Sequence, residues 1–206
     1  MEEITIYLGN KKTSTDSLQA WLMLLQVNTD FKAAFIDLNK KEHQERIAKI
    51  SPNMGIPALV HGTNIVSDSL PIGNYLNTNF PDVALWPKDA KMHADANDII
   101  EIINSDFNAL KEGLPFDFNS HPDIKNNIPE NVKADIQKLT DLCLKYRNLN
   151  ANNGKFLFGN FSIADAIFAP IAIRLVAYDV KLNSNFENYI FSIMSLPEMQ
   201  MWCNDL

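Results

Sequence analysis

Two features in the middle of the chain have residue types suited to holding a peptide-like ligand. Pro57 opens a short apolar run, Ala58–Val60, and Asp68 and Ser69 precede residues at helical spacing. A proline cannot donate to a sheet, but it adopts a cis peptide cheaply. A cis Ile56–Pro57 bond would turn the backbone N–H and C=O of Ile56 outward, where an extended peptide can pair with them. The N–H groups and dipole of a helix that begins at Asp68 suit a carboxylate.

The elements that position these residues follow an order typical of a thioredoxin-like domain. The segment 51–76 predicts a strand, a turn at His61–Asn64, a second strand and a helix. Before it come a strand, a helix, a strand and a short helix, with a right-handed crossover joining the first parallel pair. The first strand is predicted at Ile4–Leu8, and the first helix has Leu18, Trp21, Leu22 and Leu25 on one face. The second strand is predicted at Phe31–Ile36 and the short second helix at Lys40–Ile50.

The second half of the chain has a helical pattern throughout. We predict three segments: an α/β domain over 1–80, a linker over 81–87 and an all-helical domain over 88–206. One long helix is marked by apolar residues from Met92 to Phe107, and a loop follows at Gly113–Pro129. The later helices are predicted at Glu130–Tyr146, Phe161–Val176 and Asn188–Met194, with a turn at Asn148–Lys155.

The apolar helix near residue 161 begins with a recognisable capping pattern. Ser162 and Asp165 are three residues apart, so the Ser162 side chain can bond the N–H of Asp165 and the Asp165 carboxylate can reach back. Because Phe161–Val176 is almost wholly apolar, we expect this helix to be the buried centre of the second domain. The capping box predicts a structural role, not a binding site.

Composition excludes several function classes. A net charge of -7 argues against a nucleic-acid or anionic-membrane surface. Cys143 and Cys203 make no disulfide framework, and the cysteines and four histidines have no metal-ligand spacing, so no metal is expected. The acidic start of the chain is unlike a signal peptide, and no apolar run approaches the ~18 residues of a membrane span. We therefore expect a cytoplasmic protein.

Several segments resemble one enzyme family. Pro57 and Asp68-Ser69 match the cis-proline and the acidic-serine pair of the glutathione S-transferases. Residues 8–24, 99–115 and 156–174 are similar to the first loop, long helix and buried helix of a serine-type bacterial branch related to the zeta class, which includes maleylacetoacetate isomerases. The resemblance implies the glutathione transferase fold: a thioredoxin-like α/β domain followed by an all-α domain.

The resemblance also implies a role for each matched residue. Ser14 aligns with the serine whose hydroxyl faces the thiol of glutathione, the co-substrate. Ile56, next to Pro57, would pair with the cysteinyl backbone, and Asp68 and Ser69 would hold the γ-glutamyl end. A free thiol has a pKa near ~8.5, so a hydroxyl at a helix N-terminus would favour the thiolate by hydrogen bonding and dipole.

Other residues of the first loop leave alternatives open. Ser14 could merely cap the first helix, and Thr15 and Ser17 are the next candidates for the thiol partner. Tyr7 is a further candidate, because other transferase classes use a tyrosine here, although packing in the sheet is the simpler interpretation. Asp16 departs from the family loop, and its negative charge would raise the thiol pKa. Lys11 or Lys12 could compensate for it.

The resemblance implies an electrophile pocket between the domains, and two residues are candidates for it. Arg174 is a charge on an otherwise apolar helix, and in zeta-type enzymes this helix contributes a polar contact to acidic substrates. The alternative is an arginine that is ion-paired or extends to solvent. Asn104, with Ser105 and Phe107, could face the same cleft.

The predicted function is a glutathione transferase that adds the activated thiolate to a small electrophile. The alternatives are a non-catalytic glutathione-binding or ligand-holding protein of the same fold, a glutathione-dependent isomerase, and a glutathione-dependent peroxidase. Absence of a cysteine from the first loop disfavours disulfide exchange through a protein thiol. The family resemblance implies a homodimer.

Overall fold

A computed structural model describes residues 2–51, 55–119, 121, 127–150 and 153–204 of the 206-residue chain. The chain divides into two compact units, with the boundary between Leu85 and Trp86. The first unit is an α/β domain and the second is helical, as the sequence predicts.

The first unit is built on a four-stranded sheet in the order β2-β1-β3-β4. Strand β1 runs parallel to β2 and antiparallel to β3, and β3 pairs antiparallel with β4. This is the thioredoxin-like arrangement, so the predicted fold of this half is confirmed. The elements are β1 (Ile4–Leu8), α1 (Thr15–Gln26), β2 (Phe31–Phe35), α2 (Lys41–Ile50), β3 (Ala58–His61), β4 (Asn64–Ser67) and α3 (Ser69–Asn79).

Strand register brings three chain segments to one edge of this sheet. Tyr7, near the end of β1, pairs with Ala58 at the start of β3, and Ala58 also pairs with Ser67 at the end of β4. Because β1 ends where β3 begins, the loop after β1 lies beside Pro57. Because β4 ends at the same edge of the sheet, the start of α3 lies there too.

The second unit surrounds one buried helix. Helix α7 is enclosed along nearly its whole length, because an almost wholly apolar helix has no broad face suited to water. The capping box of Ser162 and Asp165 is present at its start, as predicted. The helices of this unit are α4 (Ala90–Ser105), α5 (Asn108–Gly113), α6 (Glu130–Leu149), α7 (Ile163–Ala177), α8 (Ser184–Met194) and α9 (Pro197–Cys203).

The structure corrects the predicted end of the long helix. Phe107 was expected inside it, but α4 ends at Ser105 and Phe107 has a left-handed backbone with φ 61° before α5. The Lys111 ammonium donates to the carbonyls of Ile103 at 2.6 Å and of Asp106 at 2.8 Å, and so closes the helix end. Phe107 is nevertheless buried, and for that reason the apolar spacing continues past the break.

Two further differences concern helix ends and short helices. The turn predicted from Asn148 begins later, because α6 continues to Leu149 and the Asn150 side chain then donates to the Tyr146 carbonyl at 2.8 Å. Helices α5 and α9 were not predicted. Both are a turn or two long, too short for apolar periodicity to mark them.

Candidate functional site

The Ile56–Pro57 peptide bond is cis, as the sequence predicts. The Asp68 N–H donates to the Pro57 carbonyl at 2.9 Å, which ties the start of α3 to the start of β3. A Cβ added to Gly55 would lie 3.4 Å from the Asp68 carboxylate. The segment containing Ile56 and Pro57 and the Asp68-Ser69 pair are therefore direct neighbours.

The start of α3 has an unusual backbone and few side-chain partners. Asp68, its N-cap, has φ 72° and ψ 148°, a conformation that favours glycine, and within the described part of the chain its side chain makes no capping hydrogen bond. Ser69 is buried, and its hydroxyl donates to the Gln19 side-chain carbonyl at 2.6 Å. The first amides of α3 therefore lie next to the cis-proline segment without a capping side chain among the described residues, and a carboxylate is suited to that position.

Ser14 is the N-cap of α1, and its hydroxyl is linked to that of Ser17. Ser14 Oγ accepts the Ser17 N–H at 3.3 Å and donates to Ser17 Oγ at 2.8 Å. Ser17 Oγ in turn accepts the Gly9 N–H at 2.8 Å. A Cβ at Gly9 would lie only 3.0 Å from the Ser14 Cβ, so glycine lets the end of β1 approach the cap closely.

The other hydroxyl candidates of this region have different surroundings. Ser17 is fully buried, so its hydroxyl reaches a ligand only through Ser14. Thr15 is half-buried at the first position of α1 and is hydrogen-bonded to the Asp16 carboxylate. Tyr7 lies within the sheet, and the Arg46 guanidinium sits 5.1 Å from the centre of its ring. Of the four, Ser14 is the N-cap hydroxyl that remains partly exposed.

Asp16 lies close enough to Asp68 for the two carboxylates to interact. Burial raises the pKa of Asp16, the negative charge of Asp68 raises it further, and the hydrogen bond from Thr15 opposes both effects. Asp16 and Asp68 are nevertheless both exposed, so their carboxylates remain accessible to a ligand. Two carboxylates at neighbouring helix starts form a local negative region suited to a cation.

Lys11, which was expected to offset Asp16, packs on aromatic rings. Its ammonium lies 5.0 Å from the ring centre of Phe35 and 6.0 Å from that of Trp21. The positive charge is thus held beside β2 and α1 by cation–π contacts. The first turn of α1 supplies the remaining positive potential, through its backbone N–H groups.

Asn104 and Arg174 belong to the second unit, whereas the residues above belong to the first. Arg174 Nη1 donates to the Lys111 carbonyl at 3.0 Å and also to the Leu114 carbonyl, so its guanidinium closes the end of α5. Burial lowers the pKa of Arg174. Asn104 has an exposed side chain, and its carbonyl accepts from Lys111 Nζ at 3.1 Å. The Arg174 side chain therefore has a structural role within the second unit, whereas only the backbone carbonyl of Asn104 is engaged in these contacts.

Sequence reasoning missed two residues that shape this region. No role was predicted for Gln19, yet its side chain is the acceptor for the Ser69 hydroxyl. No role was predicted for Gly9, yet it allows the close approach of Ser14. The signal available for Gln19 was a polar residue on the otherwise apolar face of α1. Among the described residues, no group of three or more His, Cys, Asp or Glu side chains is arranged to hold a metal.

Comparison with known proteins places this geometry in context. Residues 13–79 match the family model for the glutathione S-transferase N-terminal domain. Glutathione S-transferase 1 of Dianthus caryophyllus is 35% identical over 83 residues, 40% of this chain and 38% of that protein. The probable maleylacetoacetate isomerase of Caenorhabditis elegans is 30% identical over 97 residues, 47% of this chain and 45% of that protein. The matches thus span less than half the length of these two relatives.

The similarity in fold extends over the whole chain. The crystal structure of a glutathione transferase homolog from Burkholderia GL BGR1, with bound glutathione, superposes with a TM-score of 0.73 at 24% identity. The alignment covers 99% of this chain and 97% of that one. The predicted glutathione transferase fold is therefore confirmed, while the placement in a serine-type bacterial branch stays a prediction. Within the described residues, no helix has both the length and the apolarity needed to cross a membrane.

Proposed function

We propose that this chain, whose fold is that of the glutathione S-transferases, is a glutathione transferase that activates the thiol at Ser14. The observation that carries the proposal is the meeting of three elements at one edge of the sheet. These are the α1 N-cap at Ser14, the cis Ile56–Pro57 segment and the start of α3 at Asp68 and Ser69, which has no side-chain cap among the described residues.

Each part of glutathione would have a matching group in this arrangement. The cysteinyl backbone would pair with the backbone of Ile56, as an added strand pairs with a sheet edge. The γ-glutamyl carboxylate would accept hydrogen bonds from the first amides of α3, including the backbone N–H of Ser69. The γ-glutamyl ammonium would lie against the carboxylates of Asp68 and Asp16, whose mutual repulsion it would relieve.

The chemistry would proceed from the thiolate. The thiol loses its proton to water, and the Ser14 hydroxyl donates to the sulfur anion at the positive end of α1. The sulfur lone pair then forms a bond to the electrophilic carbon. Either a leaving group departs with its bonding electrons, or the electrons of a double bond move to the acceptor, which takes a proton from water.

The Ser14 hydroxyl must turn to perform this role. It donates to Ser17 Oγ at 2.8 Å, and a thiolate would compete for the same proton. A hydrogen bond to an anion is roughly twice as strong as a neutral one, so donation to sulfur would be preferred once the thiolate is present. The Ser17 hydroxyl can then donate to Ser14 in return, because its own oxygen still accepts from Gly9.

One observation favours the non-catalytic alternative, a glutathione-binding protein of the same fold. The Ser14 hydroxyl is already satisfied within the protein, and Asp16 brings a negative charge to the same turn. The isomerase alternative has less support, because it would need a cation for an acidic substrate and the Arg174 guanidinium already donates to two carbonyls. A homodimer, a cytoplasmic location and the predicted role of Asn104 and Arg174 in electrophile binding remain part of the proposal.

The test is the thiol pKa of bound glutathione, measured from thiolate absorbance against pH. We expect a value clearly below ~8.5 in the wild type, and a return toward that value in Ser14→Ala. Thr13→Ala is the matched control, because Thr13 is an exposed hydroxyl residue of the same loop. Binding without a pKa shift would support the non-catalytic alternative, and absence of binding would contradict both proposals.

A further inference from the structure

Helix α1 and the start of α3 are joined by a buried hydrogen bond. The Ser69 hydroxyl donates to the side-chain oxygen of Gln19 at 2.6 Å, and each of these two residues is only 7% exposed. They are 50 positions apart in the chain, so the bond ties two separate elements together. Because a buried hydroxyl without a partner is unfavourable, this bond holds the start of α3 at a defined position along α1.

An acidic residue lies beside each end of this hydrogen bond. Asp16 precedes Gln19 by three positions, so the two residues lie on the same face of α1. Asp68 immediately precedes Ser69 at the start of α3. The bond therefore brings Asp16 and Asp68 near each other, and both are exposed. In agreement with this placement, burial raises the pKa of Asp16 and the negative charge of Asp68 raises it further.

Neighbouring carboxylates repel each other, so their closeness depends on attractive contacts nearby. Two hydrogen bonds attach the start of α3 to the rest of the first unit. The Asp68 N–H donates to the Pro57 carbonyl at 2.9 Å and attaches it to the cis-proline segment. The Ser69 hydroxyl attaches it to α1 through Gln19. Of these two attachments, the one at Gln19 acts between the two helices that hold the carboxylates.

We propose that Gln19 is a positioning residue that makes the site selective for ligands with an ammonium group at the γ-glutamyl end, an inference that rests on the proposed function. Through Ser69, Gln19 keeps Asp68 near Asp16, and the ammonium lies against both carboxylates. Without this bond the ammonium keeps Asp68 and loses Asp16. The ligand carboxylate is less affected, because the first amides of α3 belong to the same element as Asp68.

Two ligands that differ only in the amino group test this role in the full chain. They are glutathione and glutaryl-cysteinyl-glycine, compared by isothermal titration. We expect the wild type to prefer glutathione by about tenfold, and Gln19→Leu to reduce this preference to about twofold. Gln26→Leu is the matched control, since it makes the same change at the other end of α1 and should keep the full preference. A purely structural role would weaken both ligands by the same factor, and that result would overturn the proposal.

Two further variants show whether Gln19 acts through the carboxylates. Ser69→Ala breaks the same hydrogen bond but keeps the Ser69 position's backbone N–H for the ligand, so it should reduce the preference as Gln19→Leu does. In an Asp16→Asn background, Gln19→Leu should leave the remaining preference unchanged, because the second carboxylate is already lost. An undiminished effect of Gln19→Leu in that background would overturn the proposal.

The wild type separates this inference from the proposed function. A wild-type chain that binds neither ligand would contradict the proposed function and this inference with it. A wild type that binds glutathione and glutaryl-cysteinyl-glycine equally well would overturn the role of Gln19 alone, because thiol activation at Ser14 does not require the ammonium. The full preference in a Gln19→Leu or Ser69→Ala protein, shown to be folded by circular dichroism, would likewise overturn the role of Gln19 alone.

Discussion

At the scale of single residues, two serines one helical turn apart have different positions and therefore different roles. Ser14 is partly exposed at the N-cap, whereas Ser17 is fully buried and is hydrogen-bonded to Ser14 and to the Gly9 N–H. A buried hydroxyl cannot meet the sulfur of glutathione directly, but it can fix the rotamer of Ser14, whose hydroxyl we propose as the thiol partner. We therefore regard Ser17 as a positioning residue for Ser14.

Ser17→Ala tests this role. Loss of the Ser17 hydroxyl leaves the Gly9 N–H without its acceptor, so the free energy of unfolding should fall by about 1–3 kcal/mol. The thiol pKa of bound glutathione should move toward the free value, because Ser14 is no longer held. In a Ser14→Ala background the same change should leave the thiol pKa unaltered. Equal pKa effects in both backgrounds would show that Ser17 acts by another route.

Asp16→Asn separates two roles for the acidic residue of the first loop. If Asp16 holds the γ-glutamyl ammonium together with Asp68, the variant should bind glutathione about threefold to tenfold more weakly with an unchanged thiol pKa. If its charge instead acts on the sulfur, the thiol pKa should fall while affinity changes little. Isothermal titration and thiolate absorbance on the same samples measure the two quantities, and Thr13→Ala again serves as the control.

At the scale of elements, the start of α3 has an unfavourable backbone conformation, which is explained if this helix start binds the proposed ligand. Asp68 has φ 72°, which a residue with a side chain adopts at a cost of order 1–3 kcal/mol. Its carboxylate makes no capping hydrogen bond within the described part of the chain, so α3 gains little from it. A ligand that supplies a carboxylate to the amides and an ammonium to Asp68 would offset that cost.

Asp68→Gly should therefore raise stability and lower affinity. Glycine adopts this backbone freely, so we expect the free energy of unfolding in urea to increase by about 1 kcal/mol. Affinity for glutathione should fall at the same time, because the ammonium loses a carboxylate. Asp68→Asn should bind as weakly as Asp68→Gly without its gain in stability. A stable glycine variant with full affinity would contradict the binding role of Asp68.

Helix ends in the second unit depend on two basic side chains. Lys111 closes α4 and Arg174 closes α5, and each donates to backbone carbonyls that have no partner further along their helix. Burial lowers the pKa of Lys111, and the nearby charge of Arg174 lowers it further. The two positive charges are held close together because the carbonyl groups need donors.

Arg174→Met tests the structural part of this arrangement. Methionine keeps much of the apolar stem but cannot donate to the carbonyls of Lys111 and Leu114, so we expect a loss of about 1–3 kcal/mol in the free energy of unfolding. Lys138→Met is the control, since Lys138 is an exposed cation of the same unit. An Arg174→Met protein of normal stability that loses activity with acidic substrates would instead favour the predicted pocket role.

At the scale of the whole molecule, one buried carboxylate should affect how the stability of the protein depends on pH. Asp165 is fully buried beside the start of α7 and accepts hydrogen bonds from Leu157, Ser162 and Tyr189. Burial raises its pKa to about 6, although these donors oppose the shift. The folded protein therefore holds this proton more tightly than the unfolded chain does.

The sign of the pH effect follows from that difference. Between about pH 4 and pH 6 the folded state binds more protons at Asp165 than the unfolded state, so the free energy of unfolding should decrease as pH rises through this window. Asp165→Asn removes the titration. The difference between wild type and variant in urea unfolding should therefore depend on pH only within this window. A difference that is constant from pH 4 to 7 would contradict the raised pKa.

The sequence alone determined the features that depend on neighbours along the chain. β-Branched and aromatic residues marked β1 at Ile4–Leu8, and the spacing of Ser162 and Asp165 marked the start of α7. Pro57 pointed to a cis bond because its position at a strand start needs a special reason. These signals are local, since a cap, a turn or a helical face is encoded within a few residues.

The tertiary structure decided which polar side chains are buried and which remain accessible. The family resemblance ranks Ser14 before Ser17, but only long-range packing places Ser17 in the interior. The partners of Arg174 lie more than fifty residues away, on α5 and just after it, and so no local pattern could identify them. The same holds for Ser69 and Gln19, because the packing of α3 on α1 brings their side chains together. Hydrogen-bond partners distant in sequence are fixed by how elements pack, and the spacing of residues along one element carries no record of them.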